Sequence, residues 1–154
     1  MSQPASERQL SAEHVMEYPY RRSLGPVLSH FFTGLRDRRI EGIRTASGRV
    51  LVPPSEYDPE TGEATTDFVS VGPGGVVRSW AWVHTPRSQH PLDRPFAFAL
   101  IQLDGADSSM LHTVDTGSAG EAGMTTGMRV TPQCADETVG QIQDIVSFTP
   151  EDAS

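Results

Sequence analysis

Two apolar runs separated by a proline-rich connection limit what this chain can become. Val76–Thr85 and Phe96–Leu103 are each long enough for a strand and rich in β-branched and aromatic residues. At period two, Val77, Ser79, Ala81 and Val83 share one face, and Ala97, Ala99, Ile101 and Leu103 share the matching face of the second run. Small and branched side chains on one face suit the inside of a tightly curved sheet, where curvature leaves little room. The opposite faces carry Trp80, Trp82, Phe96, Phe98 and Leu100, which need a covering layer from a helix or a partner.

The flanking sequence supplies both more strands and a helix. Leu24, Val27, Leu28, Phe31, Phe32 and Leu35 recur at helical spacing and predict a helix from about Arg22 to Arg39, with Pro26 in the first turn and Gly42 as its stop. Phe68–Val71 enters the Gly72-Pro73-Gly74-Gly75 turn ahead of the central pair. Met110–Val114, Met128–Cys134 and Asp144–Phe148 read as further strands, and a glycine-rich connection at Gly117–Gly127 has room for a helical turn near Glu121–Met124. Five strands with a break between the third and fourth is the rhythm of an OB-fold, a small Greek-key barrel. The expected fold class is therefore mainly β. Residues 42–64 hold too few apolar side chains to fold unaided, so something must pin them down.

Composition narrows the function classes. A chain of 154 residues makes one domain of ordinary size, and its net charge of −8 repels nucleic acid and anionic membranes. All twelve basic residues are arginine, which excludes lysine Schiff-base chemistry by this chain. Cys134 is the single cysteine, so no intrachain disulfide or thiolate zinc site is expected. With no apolar leader and no run long enough to span a bilayer, a cytoplasmic location is expected. A Gly-x-Ser-x-Gly elbow and a Walker loop are both missing from the sequence, and Gly72–Gly75 leads into a strand rather than a helix.

The ordered set of short segments resembles a known family. These are Phe31-Phe32-Thr33-Gly34-Leu35-Arg36, Gly42-Ile43-Arg44, Gly48, Val52-Pro53-Pro54, Val83-His84-Thr85-Pro86, Pro95 to Asp104 and Gly127-Met128-Arg129-Val130. Together they are similar to the acyl-CoA-associated OB-fold proteins, known as domain of unknown function thirty-five, over roughly residues 20–149. The resemblance implies an N-terminal helix, a rubredoxin-like zinc ribbon and an OB barrel. That divides this chain into an arm (1–18), a helix (19–41), a ribbon-like segment (42–64), a barrel (65–149) and a tail (150–154). The family's four ribbon cysteines correspond to Arg44, Ser47, Asp58 and Thr61, none of them a thiolate, so the ribbon is degenerate and zinc is not expected. Structural zinc contributes about 10–16 kcal/mol in isolated fingers, so other contacts must offset its loss. A pairing of Arg44 with Asp58 across the former site is the expectation, with two solvated charges as the alternative.

The same resemblance implies a partner. The family's proteins are similar to subunits that sit against thiolase-fold enzymes, including lipid-transfer-type aldolases that shorten steroid side chains as CoA thioesters. The expectation is an accessory subunit without catalytic residues of its own, in a heterotetramer with a thiolase-fold or lipid-transfer-type protein, in lipid or steroid degradation. A free-standing acyl-CoA or lipid binder is the alternative, and a single-stranded nucleic-acid module is disfavoured by charge.

Candidate site residues follow from chemistry. Leu28, Phe31, Phe32 and Leu35 on the helix, with Trp80 and Trp82, are the expected partner interface, since aromatics anchor interfaces; the alternative is burial within the chain. Arg36, Arg38, Arg39, Arg44 and Arg49 are candidates for the phosphates of CoA or an acidic partner; the alternative is a solvated helix end interleaved with Asp37 and Glu41. His84 is a candidate to face a partner's active site, against a structural strand-end histidine. Cys134 reads as a small buried hydrophobe.

Overall fold

A computed structural model describes residues 12, 14–19 and 21–151 of the chain. There it forms one α-helix, a three-stranded sheet and a closed five-stranded barrel. The arm expected over residues 1–18 and the last residues of the tail, 152–154, lie largely or wholly outside the described residues.

Helix α1 (Gly25–Arg36) starts just ahead of Pro26, where a missing N–H costs nothing. It is shorter than the sequence pattern predicts and does not run on to Gly42. Its end is a Schellman motif: the Arg39 N–H donates to the Gly34 carbonyl at 2.8 Å, and the Arg38 N–H to Leu35 at 2.9 Å. Arg38 takes the left-handed position (φ 58°) that usually belongs to glycine. Its guanidinium donates to the carbonyls of Ala135 (3.3 Å) and Asp136 (3.1 Å), which holds it there.

Strands β1 (Glu41–Arg44), β2 (Val50–Leu51) and β3 (Asp67–Ser70) form a small antiparallel sheet in the order β2-β1-β3. Gly42 is the predicted helix stop but sits inside β1. A Cβ there would lie 2.9 Å from the Leu51 carbonyl oxygen and from the Val50 and Val52 methyls. The Phe68–Val71 run pairs with β1 here, so the barrel begins at Gly75, later than the expected boundary at residue 65. Arg44 does not pair with Asp58. Its Nε lies 3.3 Å from Asp67, the residue directly opposite on β3, because cross-strand register brings that carboxylate nearer. Asp58 is instead buried, with its Oδ1 accepting the Glu60 N–H at 2.8 Å.

The barrel comprises β4 (Gly75–Val83), β5 (Phe96–Leu103), β6 (Met110–Val114), β7 (Arg129–Cys134) and β8 (Ile145–Pro150), closed in the order β4-β5-β6-β8-β7. The β6–β8 pairing is parallel and the others are antiparallel, which is the OB-fold topology anticipated from the strand rhythm. A 3₁₀ segment, Gly117–Gly123, occupies the long β6–β7 connection.

The inner face of β5 is as predicted: Ala97, Ala99, Ile101 and Leu103 are all buried. Strand β4 keeps the predicted face only as far as Val77. Register shifts between Val77 and Ser79, leaving Arg78 as the extra residue of a β-bulge. Beyond the bulge the faces exchange. Trp80 stands opposite Ala99 and Trp82 opposite Ala97, both packed against the core, while Ser79 and Ala81 are exposed. The two alanines leave the space that the indoles use.

Helix α1 joins the two sheets. Val27 packs with Ile43 and Leu51 against the small sheet, while Phe31 and Leu35, one and two turns on, enter the main cluster with Val77, Ile101 and Phe148. Phe31 is 1% exposed and Leu35 2%, so this part of the predicted interface is the chain's own core.

Candidate functional site

The β4–β5 connection folds back over the outer face of its own hairpin. Phe96 is completely buried beneath it, with the His90 ring edge-on at 5.8 Å. His90 is fixed by its own turn: Nδ1 accepts the Arg87 N–H at 3.0 Å, and the His90 N–H donates to the Arg87 carbonyl at 2.9 Å. So the covering layer that the bulky face requires comes partly from a loop. It does not reach Leu100, and Phe98 stays half-buried.

On the other side, the β7–β8 connection is organised by one carboxylate. Asp144, 2% exposed, accepts the N–H groups of Val139 (3.0 Å), Gly140 (2.7 Å) and Gln141 (3.2 Å). Burial pushes its pKa up, but the three N–H bonds outweigh burial and hold it below the usual carboxylate range. The Thr138 hydroxyl donates to the Arg36 carbonyl at 2.6 Å, and the Arg38 bonds tie the same loop to the helix end.

Between these two loops lies a cleft of about 600 Å³ over β5 and β6. Phe98, Leu111 and Thr113 line its floor, His90 and Pro91 one wall, and Ile142 and Val146 the other. His112 lines it too. Burial pushes its imidazole towards the neutral form, against hydrogen bonds with the Thr113 and Ile142 main chain. Its Nδ1 accepts the Thr113 N–H at 2.9 Å, and its ring meets Phe148 at 5.4 Å. Leu100 and Leu111 stand directly opposite each other on the outer face, 41% and 62% exposed, and extend the cleft's apolar surface. Neither carboxylate nor guanidinium lines the cleft. Thr113 is 1% exposed, and its hydroxyl donates to the Val146 carbonyl at 3.3 Å. The cleft's surface is mostly apolar. An OB barrel commonly binds on this face, between these two loops, but the sites that take nucleic acid are basic.

Few of the sequence candidates meet here. Leu28 and Phe32 are half-buried on α1, and Trp80 and Trp82 half-buried inside β4; none of them lines the cleft. Each of the five arginines has an acceptor within the chain. Arg36 lies 3.5 Å from Asp37, Arg39 3.0 Å from Glu41, and Arg49 2.9 Å from Glu60, while Arg38 and Arg44 are engaged as described. A second, smaller cleft of about 350 Å³ gathers Arg38, Arg39 and Cys134 beside Leu35 and Ile40, and Cys134 is exposed rather than buried. His84 is exposed at the end of β4, its Nε2 3.6 Å from the Glu121 carboxylate. No cluster of three or more metal-ligating side chains occurs among the described residues, and no described helix is long and apolar enough to cross a membrane. Leu111, His112 and Val146 escaped sequence reading. Outward Leu111 beside buried Met110 is the one visible signal, since alternation places them on opposite faces.

Residues 68–134 match the family model for the C-terminal OB-fold domain of ChsH2. The barrel is thus an OB-fold domain similar to the C-terminal domain of ChsH2. Two solved structures share the overall fold. A DUF35-family protein of unknown function from Sulfolobus solfataricus superposes with a TM-score of 0.63 at 19% identity, over 83% of this chain and 85% of that one. The Ltp2–ChsH2(DUF35) aldolase superposes with a TM-score of 0.62 at 19% identity, over 84% of this chain and 98% of the matched one. No curated protein matches the sequence.

Proposed function

We infer that this protein is the accessory subunit of a thiolase-fold enzyme, of the lipid-transfer-type aldolase class, acting on acyl-CoA thioesters. A steroid side-chain thioester is the substrate this reading favours. The ChsH2-family match over residues 68–134 carries the inference, because ChsH2 is the subunit named with Ltp2 in the aldolase of the same fold. The uncharged cleft and the Leu100–Leu111 strip beside it support a protein contact on the outer face of β5 and β6. In this reading the partner supplies the catalytic residues, one barrel serves each catalytic chain, and a dimeric partner gives a heterotetramer. Arg36, Arg38 and Arg39 remain the candidates for a CoA phosphate or the partner's acidic groups, and His84 for the approach to the partner's active site.

A second reading has its own observation. A cleft of about 600 Å³ lies within the range of small-molecule sites, which fits a free-standing binder of acyl-CoA or lipid. One experiment separates the two: affinity purification of the tagged chain from its native host with a salt wash, the recovered proteins identified by mass spectrometry. A stoichiometric thiolase-fold protein is expected. A folded monomer recovered alone would overturn the accessory-subunit reading, and titration with acyl-CoA esters would then test the solitary binder.

A further inference from the structure

Arg38 is the one non-glycine residue with a left-handed φ among the described residues. Long side chains rarely take that conformation, and glycine would end α1 equally well. Strain of this kind gathers at ligand clamps, so the surroundings of the guanidinium bear on function. Arg38 lines the smaller cleft of about 350 Å³, where the end of α1 meets β3, β7 and the start of β8. Leu35, Ile40, Val71 and Ile145 give that cleft an apolar lining. Every polar side chain lining it can donate a hydrogen bond, and none is a carboxylate.

The cleft carries a positive charge that the described residues do not cancel. Arg39 is paired, 3.0 Å from Glu41 and 3.5 Å from Asp37. Arg38 has no carboxylate partner among the described residues. Its Nη2 donates to the main-chain carbonyls of Ala135 (3.3 Å) and Asp136 (3.1 Å), and its Nε and Nη1 meet no acceptor there. The two carbonyls fix the guanidinium without neutralising it. The last carbonyls of α1 are occupied and do not oppose an anion. Those of Thr33, Gly34 and Leu35 accept the N–H groups of Asp37, Arg39 and Arg38, and that of Arg36 accepts the Thr138 hydroxyl.

We propose that this cleft binds a small monocarboxylate with a short apolar chain, its carboxylate on Arg38 and its chain against Leu35, Ile40, Val71 and Ile145. The uncancelled guanidinium selects an anion and keeps donors on Nε and Nη1 for it. The apolar lining selects a chain, since each buried CH₂ adds to affinity while a bare ion gains nothing from it. The volume lies near the lower end of small-molecule sites, so the chain is short. Every group in the site belongs to this chain, so binding needs neither CoA nor a partner subunit and is independent of the accessory-subunit role.

The chain carries its own reporter. Cys134 is its single cysteine, is exposed and lines the same cleft, so occupancy shields one thiol. The test is the rate of Cys134 alkylation by N-ethylmaleimide, a neutral reagent, on the full chain, followed by mass spectrometry with and without hexanoate. At about 10 mM hexanoate the rate is expected to fall about fivefold or more, as 1/(1 + [L]/Kd). The same concentration of 1-hexanol has the chain without the charge, and inorganic phosphate has the charge without the chain; each should slow alkylation by less than about twofold on the same relation. Arg38→Gly should abolish the protection. Glycine suits the left-handed φ, so the urea midpoint of this variant should stay within ~0.5 M of wild type. Thr131→Glu keeps Arg38 and adds a carboxylate to the cleft, and it should abolish protection too; it decides the matter if Arg38→Gly proves unstable. Absence of protection by hexanoate in wild type would overturn the proposal, as would its survival in either variant. Equal protection by 1-hexanol or by phosphate would also overturn it, leaving a merely apolar hollow or a general anion site.

Discussion

Replacing Phe31 by alanine separates the two roles open to the apolar face of α1. If Phe31 is core, the isolated chain must lose stability; if it is a partner contact, the isolated chain should barely notice. Phe31 is 1% exposed and packs edge-on to Phe32 at 5.5 Å, within the cluster that includes Leu35, Val77 and Phe148. A buried aromatic side chain removes about 150–250 Å² from water, which at ~25 cal/mol/Å² is worth about 4–6 kcal/mol. Measured Phe→Ala changes in cores cost about 3–5 kcal/mol, so about 4 kcal/mol is the expected loss. With a urea slope of ~2 kcal/mol/M, the unfolding midpoint should fall by about 2 M. Trp80 and Trp82, half-buried against the same cluster, report the transition through their fluorescence, and far-ultraviolet circular dichroism checks that both probes agree. A midpoint shift below ~0.5 M, equivalent to about 1 kcal/mol at that slope, would refute the placement of Phe31 in the core.

Four further outcomes follow from the same geometry. Leu111→Asp, on a residue 62% exposed, should change the stability of the free chain by no more than ~0.5 kcal/mol while abolishing recovery of the thiolase-fold partner; undiminished recovery places the contact elsewhere. Ala99→Leu should cost about 1–3 kcal/mol by overpacking against Trp80, read as a lower urea midpoint with a shift in tryptophan emission. Arg44→Ala should cost less than ~1 kcal/mol, because its pair with Asp67 is exposed on both sides; a larger loss in thermal melts would indicate a contact beyond that pair. Asp144 and Asp115 both titrate below the ordinary aspartate value of 3.8, Asp115 because the Arg94 guanidinium and the Gly117 N–H outweigh its burial. The folded state therefore resists protonation. The stability they contribute is complete above the unfolded value and is lost as pH falls through the lower folded values. Melting temperature should decline gently from pH 7 to about pH 5, as unfolding lets His112 take up the proton that burial resists, and drop steeply below pH 4; a flat profile down to pH 3 would contradict the shifts.

Much of this protein could be read from the chain itself. The five barrel strands, the helix and the inward face of β5 rest on periodicity and on β-branched and aromatic content, which are local properties. The small alanines at 97 and 99 foretold a crowded interior, and the short supply of apolar residues over 42–64 foretold a segment in need of a pin. Other features required the folded chain. One extra residue, Arg78, exchanges the two faces of β4 and turns the tryptophans inward, because alternation is counted afresh after a bulge. Phe31 and Leu35 have the same spacing whether a helix packs on its own barrel or on another protein, and only three-dimensional packing decides. The arginines look like a basic cluster in sequence, yet each finds an acceptor once neighbouring strands and loops are in place. The cleft draws on β5, β6 and two distant loops. Such sites are made by closure of the chain on itself, so no window of the sequence contains them.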